Sequence, residues 1–369
     1  MGILAVVAHE RGLRGVLKSA GIALVTLVVV DAGVFRSGLY DYCVELDSSV
    51  GGAVQAINSD REDSSELVAV MGDSQVAEGF AERAFDDVMR GKDRPLRALN
   101  LGISGSSLRV WALLLEWMDP QADRFRFVVL PLGQFVGRDQ AIGDPAARLQ
   151  DLSFLGPILN LDQGLSLASS YPSFSGQQAA WLGSVFKSFA YRYDIRAGFV
   201  DPMSRTRGRW RLMHGHEASY SYEGRPENMV GIRVEGESIV GYPSVIPDYR
   251  REALRQFVFG LADPQREQTR ERYRAEWLDR VVQRYAGTRT EVVIIRLPPT
   301  VFPEQGGGSD TLGPTLSRLE KQPHVHVVPV STTAYLQSPE FFCDTTHFNR
   351  RGRMQWSQRL GQFILELER

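Results

Sequence analysis

The chain has 369 residues, enough for two or three ordinary domains or for one α/β domain carrying an insertion. Its residues are 43% hydrophobic and 23% charged, which suits a sizeable core and excludes disorder, collagen and coiled coil as whole-chain descriptions. Lys plus Arg number 42 against 44 Asp plus Glu, a net charge of -2, so no global positive field gathers nucleic acid. Two cysteines, Cys43 and Cys343, are too few for a disulfide framework or a four-thiolate zinc site and form one bridge at most.

From Ser19 to Val30 every residue is apolar or small, and the run reaches about 16–35 once Lys18 and Asp31 near its two ends are included. About 20 helical residues cross a hydrocarbon core of ~30 Å, and terminal charges reach the interface. Arg11, Arg14 and Lys18 precede the run; Asp31, Asp41, Glu45 and Asp47 follow it, with Arg36 as the one nearby cation. That asymmetry puts the bulk of the chain outside the cytoplasm, in a periplasmic or extracellular position. An uncleaved signal anchor, a cleaved signal peptide and a buried core helix all fit the pattern. The lack of a clean small-x-small cleavage site favours the anchor. The expected division is a cytoplasmic tip and anchor helix at 1–36, a tether at 37–65 and an α/β domain over 66–369.

Beyond the tether, β-branched runs at 67–71, 96–101, 125–132, 291–297 and 325–330 alternate with helical patterns. Near-continuous apolar strands of this kind predict a parallel sheet covered on both faces. Helices are expected at 76–90, 108–118, 249–261, 264–285 and 351–367, with Gly287 ending the fourth. Residues 139–247, rich in Gly, Ser, Pro, Tyr and Arg, break the rhythm and read as an insertion at the carboxyl edge of the sheet, with one helix inside it at 177–191.

Three segments carry chemistry. Strand 67–71 runs into Gly72-Asp73-Ser74 directly before a helix, where backbone N–H groups and the positive end of the helix dipole stabilise negative charge. Asp73 or Ser74 acting only as an N-cap is the plainer account of that segment taken alone. Asp344-Thr345-Thr346-His347 follows the last strand and sets an acid three residues from an imidazole. A serine needs such a base, and the base needs a carboxylate to fix its tautomer. Asn100 to Ser106 follows the second strand, and its glycines let backbone N–H groups approach a ligand, as an oxyanion site requires, or simply form a strand-to-helix turn.

Taken in order, these blocks resemble the SGNH (GDSL-like) hydrolase family, whose marks are a Gly-Asp-Ser nucleophile loop, an Asn-x-x-x-x-Gly loop, a Gly-x-Asn loop and an Asp-x-x-His pair. Here they appear as Gly72-Asp73-Ser74, Asn100 through Gly105, a degenerate third block, and Asp344 with His347. The resemblance implies a three-layer α/β/α, flavodoxin-like parallel sheet with Ser74 as nucleophile, His347 as base and Asp344 as its orienting acid. It also implies an oxyanion site from the N–H groups of Ser74 and Gly105. The third block reads Gly133-Gln134-Phe135, so Phe135 stands where the family has its oxyanion asparagine, and Gln134 is the nearest side-chain donor.

The expected activity is a membrane-anchored, extracytoplasmic serine esterase or O-acyltransferase acting on esters, O-acetyl groups foremost, of a carbohydrate or cell-envelope polymer. No metal or organic cofactor is called for, and no nucleic acid. Phe135 supports an alternative, a non-catalytic glycan-binding or scaffold protein of the same fold, partnered with a membrane acyltransferase. His214 with His216 lacks a completing metal-ligand set and reads as a surface loop, and His324 and His326, on one face of a strand, read as plain strand residues. The mixture of Arg205, Arg207, Arg209, Trp210 and Arg211 with Tyr220 and Tyr222 suits a solvated loop, or else nucleic acid, an anionic glycan or sugar-ring stacking, and the exterior location favours glycan over nucleic acid.

Overall fold

The computed structural model describes residues 2–40, 43, 49–59, 66–90, 96–133, 145–200, 203, 229–260, 264–298, 300–303 and 313–369. Its centre is a five-stranded parallel sheet of β1 (Glu66–Gly72), β2 (Leu96–Gly102), β3 (Phe125–Gly133), β6 (Glu291–Leu297) and β7 (Val325–Val327). The strands lie in the order β2-β1-β3-β6-β7, while β4 (Arg233–Glu235) and β5 (Ser238–Val240) form a separate antiparallel hairpin. The chain leaves β1 for β2 on one side and then crosses to β3 on the other. The carboxyl end of β1 is therefore a switch point, where the flanking loops diverge and open a crevice.

Strand residues divide between two cores by parity, as the pleat requires. Leu67, Ala69 and Met71 join one cluster with α2 (Val50–Ser59), α5 (Leu108–Met118) and α12 (Pro264–Tyr285). Val68 and Val70 join the other with α3 (Ser74–Gly79), α4 (Glu82–Met89), α11 (Asp248–Phe259) and α15 (Arg350–Leu367). Both faces are thus buried, which explains why the strands read as continuous apolar runs. The last strand is shorter than expected: it ends at Val327, and Val330 already has helical angles ahead of a short helix over Ser331–Ala334.

The helix expected at 76–90 is two helices, broken at Phe80 and Ala81, which are extended. The break is held from outside. Asn100 Nδ2 donates to the carbonyls of Val76, Ala77 and Phe80, and Ser357 Oγ accepts the Ala81 N–H at 2.8 Å. The helix expected at 177–191 begins earlier and also divides, into α8 (Phe174–Val185) and α9 (Lys187–Ala190). Ser173 caps its start through the Gly176 N–H, and Arg36 takes the carbonyls of Ser184 and Val185 at the break. The stretch expected as a tether contains α2, whose Val50, Ala53 and Ile57 are buried in the first core. Helices 108–118 and 264–285 fall where the pattern put them, and Gly287 adopts φ +76 just past α12.

The described part of the insertion is helical: α6 (Asp151–Leu155), α7 (Gly164–Ser169), α8, α9 and α10 (Arg192–Val200), with the β4–β5 hairpin near its end. Ahead of the sheet, α1 (Gly2–Val30) continues as a π-helical turn over Asp31–Arg36. The span Gly15–Arg36 is long and apolar enough to cross a membrane, and almost none of it is buried within the protein. No disulfide joins exposed Cys43 to buried Cys343, whose thiol donates to the carbonyl of His347.

Candidate active site

Ser74 is the first residue of α3, directly past the carboxyl end of β1. Asp73 caps that helix, its Oδ1 accepting the Gln75 N–H at 2.8 Å. Desolvation pushes the Asp73 carboxyl above its ordinary pKa, with this hydrogen bond and the positive charges of His347 and Arg148 acting against it. Gly72 lets the helix turn so sharply off the strand, because a Cβ there would overlap the Val76 side chain.

The acid–imidazole pair forms a compact loop that closes on itself. Phe342 and Phe348 make an antiparallel bridge, and the Cys343 N–H reaches the His347 carbonyl at 3.0 Å. Inside the loop, Asp344 Oδ1 accepts the N–H groups of Thr346 and His347, both at 2.8 Å, which fixes the carboxylate beside the ring that follows it. Both carboxylate oxygens lie 3.1 Å from His347 Nδ1. On the far side of the ring, His347 Nε2 lies 2.9 Å from Ser74 Oγ. With its proton on Nδ1, facing the carboxylate, the imidazole accepts the serine hydroxyl proton at Nε2. Ser74, His347 and Asp344 are therefore brought into one line.

Arg250, from α11, donates through Nη1 to Asp344 Oδ2. Burial alone would raise the Asp344 pKa, but the His347 hydrogen bond and charge, Arg250 and the Thr346 N–H outweigh it and hold the carboxyl well below the usual range. Gln75 braces the same junction, its buried amide donating to the carbonyls of Thr346 at 3.1 Å and Pro298 at 3.4 Å. Neither residue is evident from sequence. Gln75 does adjoin the nucleophile motif, whereas no local pattern marks Arg250, 94 positions from its partner.

The Gly105 loop faces the Gly72-Asp73-Ser74 turn and is latched to it. The Ile103 N–H and Ser106 Oγ both donate to the Gly72 carbonyl, and Trp111 Nε1 donates to Ser106 Oγ. Gly105 sits at φ +73, where a side chain would be strained. Among the described residues, no acceptor meets the N–H of Ser74 or Gly105. Behind the loop is a buried polar network: Tyr273 OH donates to Ser107 Oγ, Ser107 donates to Asp151 Oδ2, and Arg109 pairs with the same carboxylate at 3.0 Å. Arg109 also donates to the carbonyls of Ala146 and Ser170, and its guanidinium lies 4.0 Å from the Tyr171 ring centroid. A Cβ on Gly105 would stand 3.6 Å from an Arg148 nitrogen, which places a cation beside that loop.

Asn100 closes the second block in a different way from its glycine. Its amide braces the α3–α4 break and its Oδ1 accepts the Gly102 N–H, so it shapes the turn from behind. Gln134, the expected side-chain donor, and Phe135 lie outside the described residues, as do His214, His216 and the Arg-Tyr patch at 205–222. His324 and His326 are accounted for within the fold, the first by the Val282 carbonyl and the second by Glu291. Among the described residues no cluster of His, Cys, Asp or Glu is arranged to hold a metal ion. No family model and no curated protein matches the sequence.

The geometry allows one chemistry directly. Ser74 Oγ can bond to an electrophile while its proton passes to His347, with the resulting imidazolium stabilised by Asp344.

Proposed function

We propose that this protein is an SGNH-type serine esterase or O-acyltransferase, held to a membrane by α1 with its α/β domain on the extracytoplasmic side. The single observation that carries the proposal is the line Asp344–His347–Ser74, with contacts of 3.1 and 2.9 Å. The parity of the strand residues, buried on both faces beneath helices, supports the three-layer arrangement of that family. The exposed apolar span of α1 and the excess of cations before it support the anchor and its orientation.

In this reading Ser74 Oγ attacks an ester carbonyl and its proton moves to His347 Nε2. The N–H groups of Ser74 and Gly105 receive the oxyanion. The intermediate collapses as His347 returns the proton to the leaving alcohol, giving an acyl-serine. Water or a sugar hydroxyl then attacks the acyl carbon, with His347 again taking the proton, and Ser74 is regenerated. The acyl group is expected to be small, O-acetyl foremost, and the substrate a carbohydrate or cell-envelope polymer. Anchorage suits such a polymer, and a membrane acyltransferase is the natural donor-side partner.

The test is hydrolysis of small acetyl esters together with mass spectrometry of the Ser74 peptide after exposure to acyl donors. Wild type should hydrolyse the esters and carry an acyl adduct on Ser74, and Ser74→Ala should do neither. Equal hydrolysis by the two proteins would refute the nucleophile assignment. Phe135 at the asparagine position favours a second reading, a non-catalytic glycan-binding scaffold. Labelling of well-folded wild type by a fluorophosphonate, dependent on His347, decides against the scaffold, and absence of labelling decides for it.

A further inference from the structure

The end of α1 is seated on the insertion through polar and aromatic contacts. Buried Asp31 accepts the Ser188 N–H at 2.8 Å and pairs with Arg36 at 2.9 Å. Arg36 donates to the carbonyls of Ser184 and Val185, at 2.7 and 2.6 Å, and so places a cation on the C-terminal end of α8, where the helix dipole favours it. Phe35 stacks on Tyr191, Tyr40 packs against both at a tilt, and Tyr40 OH donates to Asp194 of α10 at 2.8 Å. Immediately before this seat, Val25 and Leu27 to Val30 are exposed apolar residues on a bare helix. The change from Val30 to Asp31 is therefore a sharp boundary between an apolar span and a polar socket.

The helices that form the socket are unusual on their outer side. Helix α8 buries its small residues, Gly176, Ala180, Gly183 and Ser184, and turns Phe174 and Trp181 outward, 72% and 48% exposed. Leu165 on α7 and Phe199 with Val200 at the end of α10 are 75%, 84% and 79% exposed. Residues 163–186 contain no Asp, Glu, Lys or Arg, so nothing in this stretch gives Leu165, Phe174 and Trp181 a charged, water-seeking surround. The cations of the region come just afterwards. Lys187 is followed by Arg192, whose guanidinium lies 4.3 and 4.6 Å from the ring centroids of Phe189 and Tyr193, and by exposed Arg196. Trp181 lies three residues before Ser184, about 4.5 Å along the helix axis, so it stands close to the carbonyl that Arg36 holds.

We propose that α7, α8 and α10 form a collar that docks on the lipid bilayer around α1, its outward apolar side chains entering the boundary between headgroups and acyl chains and its cations facing anionic headgroups. Bulky aromatics beside basic residues at the level where an apolar helix emerges are what that boundary selects. The bilayer is the occupant that the connection favours: the exposed apolar span of α1 is fastened at its end to α8, α9 and α10, and α8, α10 and the α7 packed on α8 carry exposed apolar side chains. The proposal rests on the reading of α1 as a membrane span. It also deepens the account of the site, because α6 of the same insertion packs on α9 and α10 and carries Asp151 into the network behind Gly105. The collar thus sets the height of the acyl-transfer site above the membrane.

The test uses the full chain in nanodiscs whose lipids are brominated either near the carbonyl end of the acyl chain or near the bilayer centre. The emission lost on going from wild type to Trp181→Phe isolates Trp181 from the other tryptophans. It should fall at least about twofold with bromine near the carbonyl end and less with bromine at the centre. Phe199→Trp should gain emission that is quenched in the same way, which gives a second reporter should Trp181→Phe fold poorly. Val25→Trp reports separately on α1: it lies six residues, about 9 Å, before Asp31, so bromine at the centre should quench it more than it quenches Trp181. Quenching of Val25→Trp with no quenching of Trp181 or Phe199→Trp would overturn the collar while leaving the span intact, and would point to a protein occupant. No quenching of Val25→Trp would overturn the span and the collar together.

Discussion

The two sides of the site are built in contrasting ways. On the base side, Asp344 is oriented by N–H groups two and three residues further along the chain, inside a loop that closes on itself. On the Gly105 side, the loop after β2 is shaped from behind by Asp151, Ala146 and Ser170 of the insertion and by Tyr273 of α12, partners 37 to 166 positions away. The Asp344–His347–Ser74 line thus rests on two short segments docked at the carboxyl edge of the sheet, whereas the proposed oxyanion surface depends on how the insertion packs. The difference separates what a mutation does to chemistry from what it does to folding, and each prediction tests that separation.

The largest effect is expected on the base side. Ser74→Ala and His347→Ala should each lower ester turnover by about 10⁴-fold or more, and the double variant should be no worse than either, because residues that act as one unit are not additive. The unfolding midpoint of Ser74→Ala should move little. Additive losses in turnover would show that the two groups do not act as one unit.

Asp344→Asn should follow, with turnover down by roughly 10³–10⁴-fold through loss of the orienting acceptor. It also makes a claim about pH. The folded Asp344 carboxyl titrates below its unfolded value, so its contribution to stability is fully present above the unfolded pKa and is lost as pH falls through the folded one. The variant should therefore be less stable than wild type at neutral pH, and the gap should narrow in acid. A gap that widens in acid would contradict the role assigned to Arg250, His347 and the Thr346 N–H in holding the carboxylate charged.

On the other side, Asp151→Ala should act first on folding. It leaves Arg109, fully buried, without its carboxylate, a change that typically costs about 3–5 kcal/mol. Replacing the pair together, Arg109→Met with Asp151→Leu, removes the stranded charge and should restore much of the lost stability seen in a denaturant titration. If the network positions the Gly105 loop, the double variant should recover its fold without recovering its turnover. Recovery of both would reduce the network to a packing device.

The same contrast governs what the sequence discloses. Gly72-Asp73-Ser74 and Asp344 with His347 are legible because the groups that orient them are near neighbours, and spacing alone carries the geometry. Helices 108–118 and 264–285 are legible because one apolar face repeats at the helical period along their whole length. The break at Phe80 and Ala81 is hidden, since local pattern favours one helix there and the competing hydrogen bonds come from Asn100 and Ser357. Arg250, Asp151 and Tyr273 are hidden for the same reason. Each is an ordinary residue on an ordinary helix until the fold sets it against its partner. The outward face of α8 falls between the two cases, because its freedom from charge is plain in the sequence but the burial of its glycines and alanine is not.

The smallest effect divides the nucleophile turn itself. Asp73 caps α3 and also carries a carboxyl whose pKa is raised by desolvation. Asparagine caps a helix about as well as aspartate, whereas alanine loses about 1 kcal/mol. A raised pKa means that the folded state holds the proton more tightly than the unfolded chain, so the ionised carboxylate lowers stability once pH rises through the folded value. Asp73→Asn keeps the cap and removes that charge. It should equal or slightly exceed wild type in thermal stability at neutral pH and lose the advantage in acid, where wild type is protonated as well. Asp73→Ala should be less stable than Asp73→Asn at every pH. If Asp73→Asn is instead the less stable protein at neutral pH, the charge is serving Arg148 or His347 across the site, and the nucleophile turn would then depend on the insertion as the Gly105 loop does.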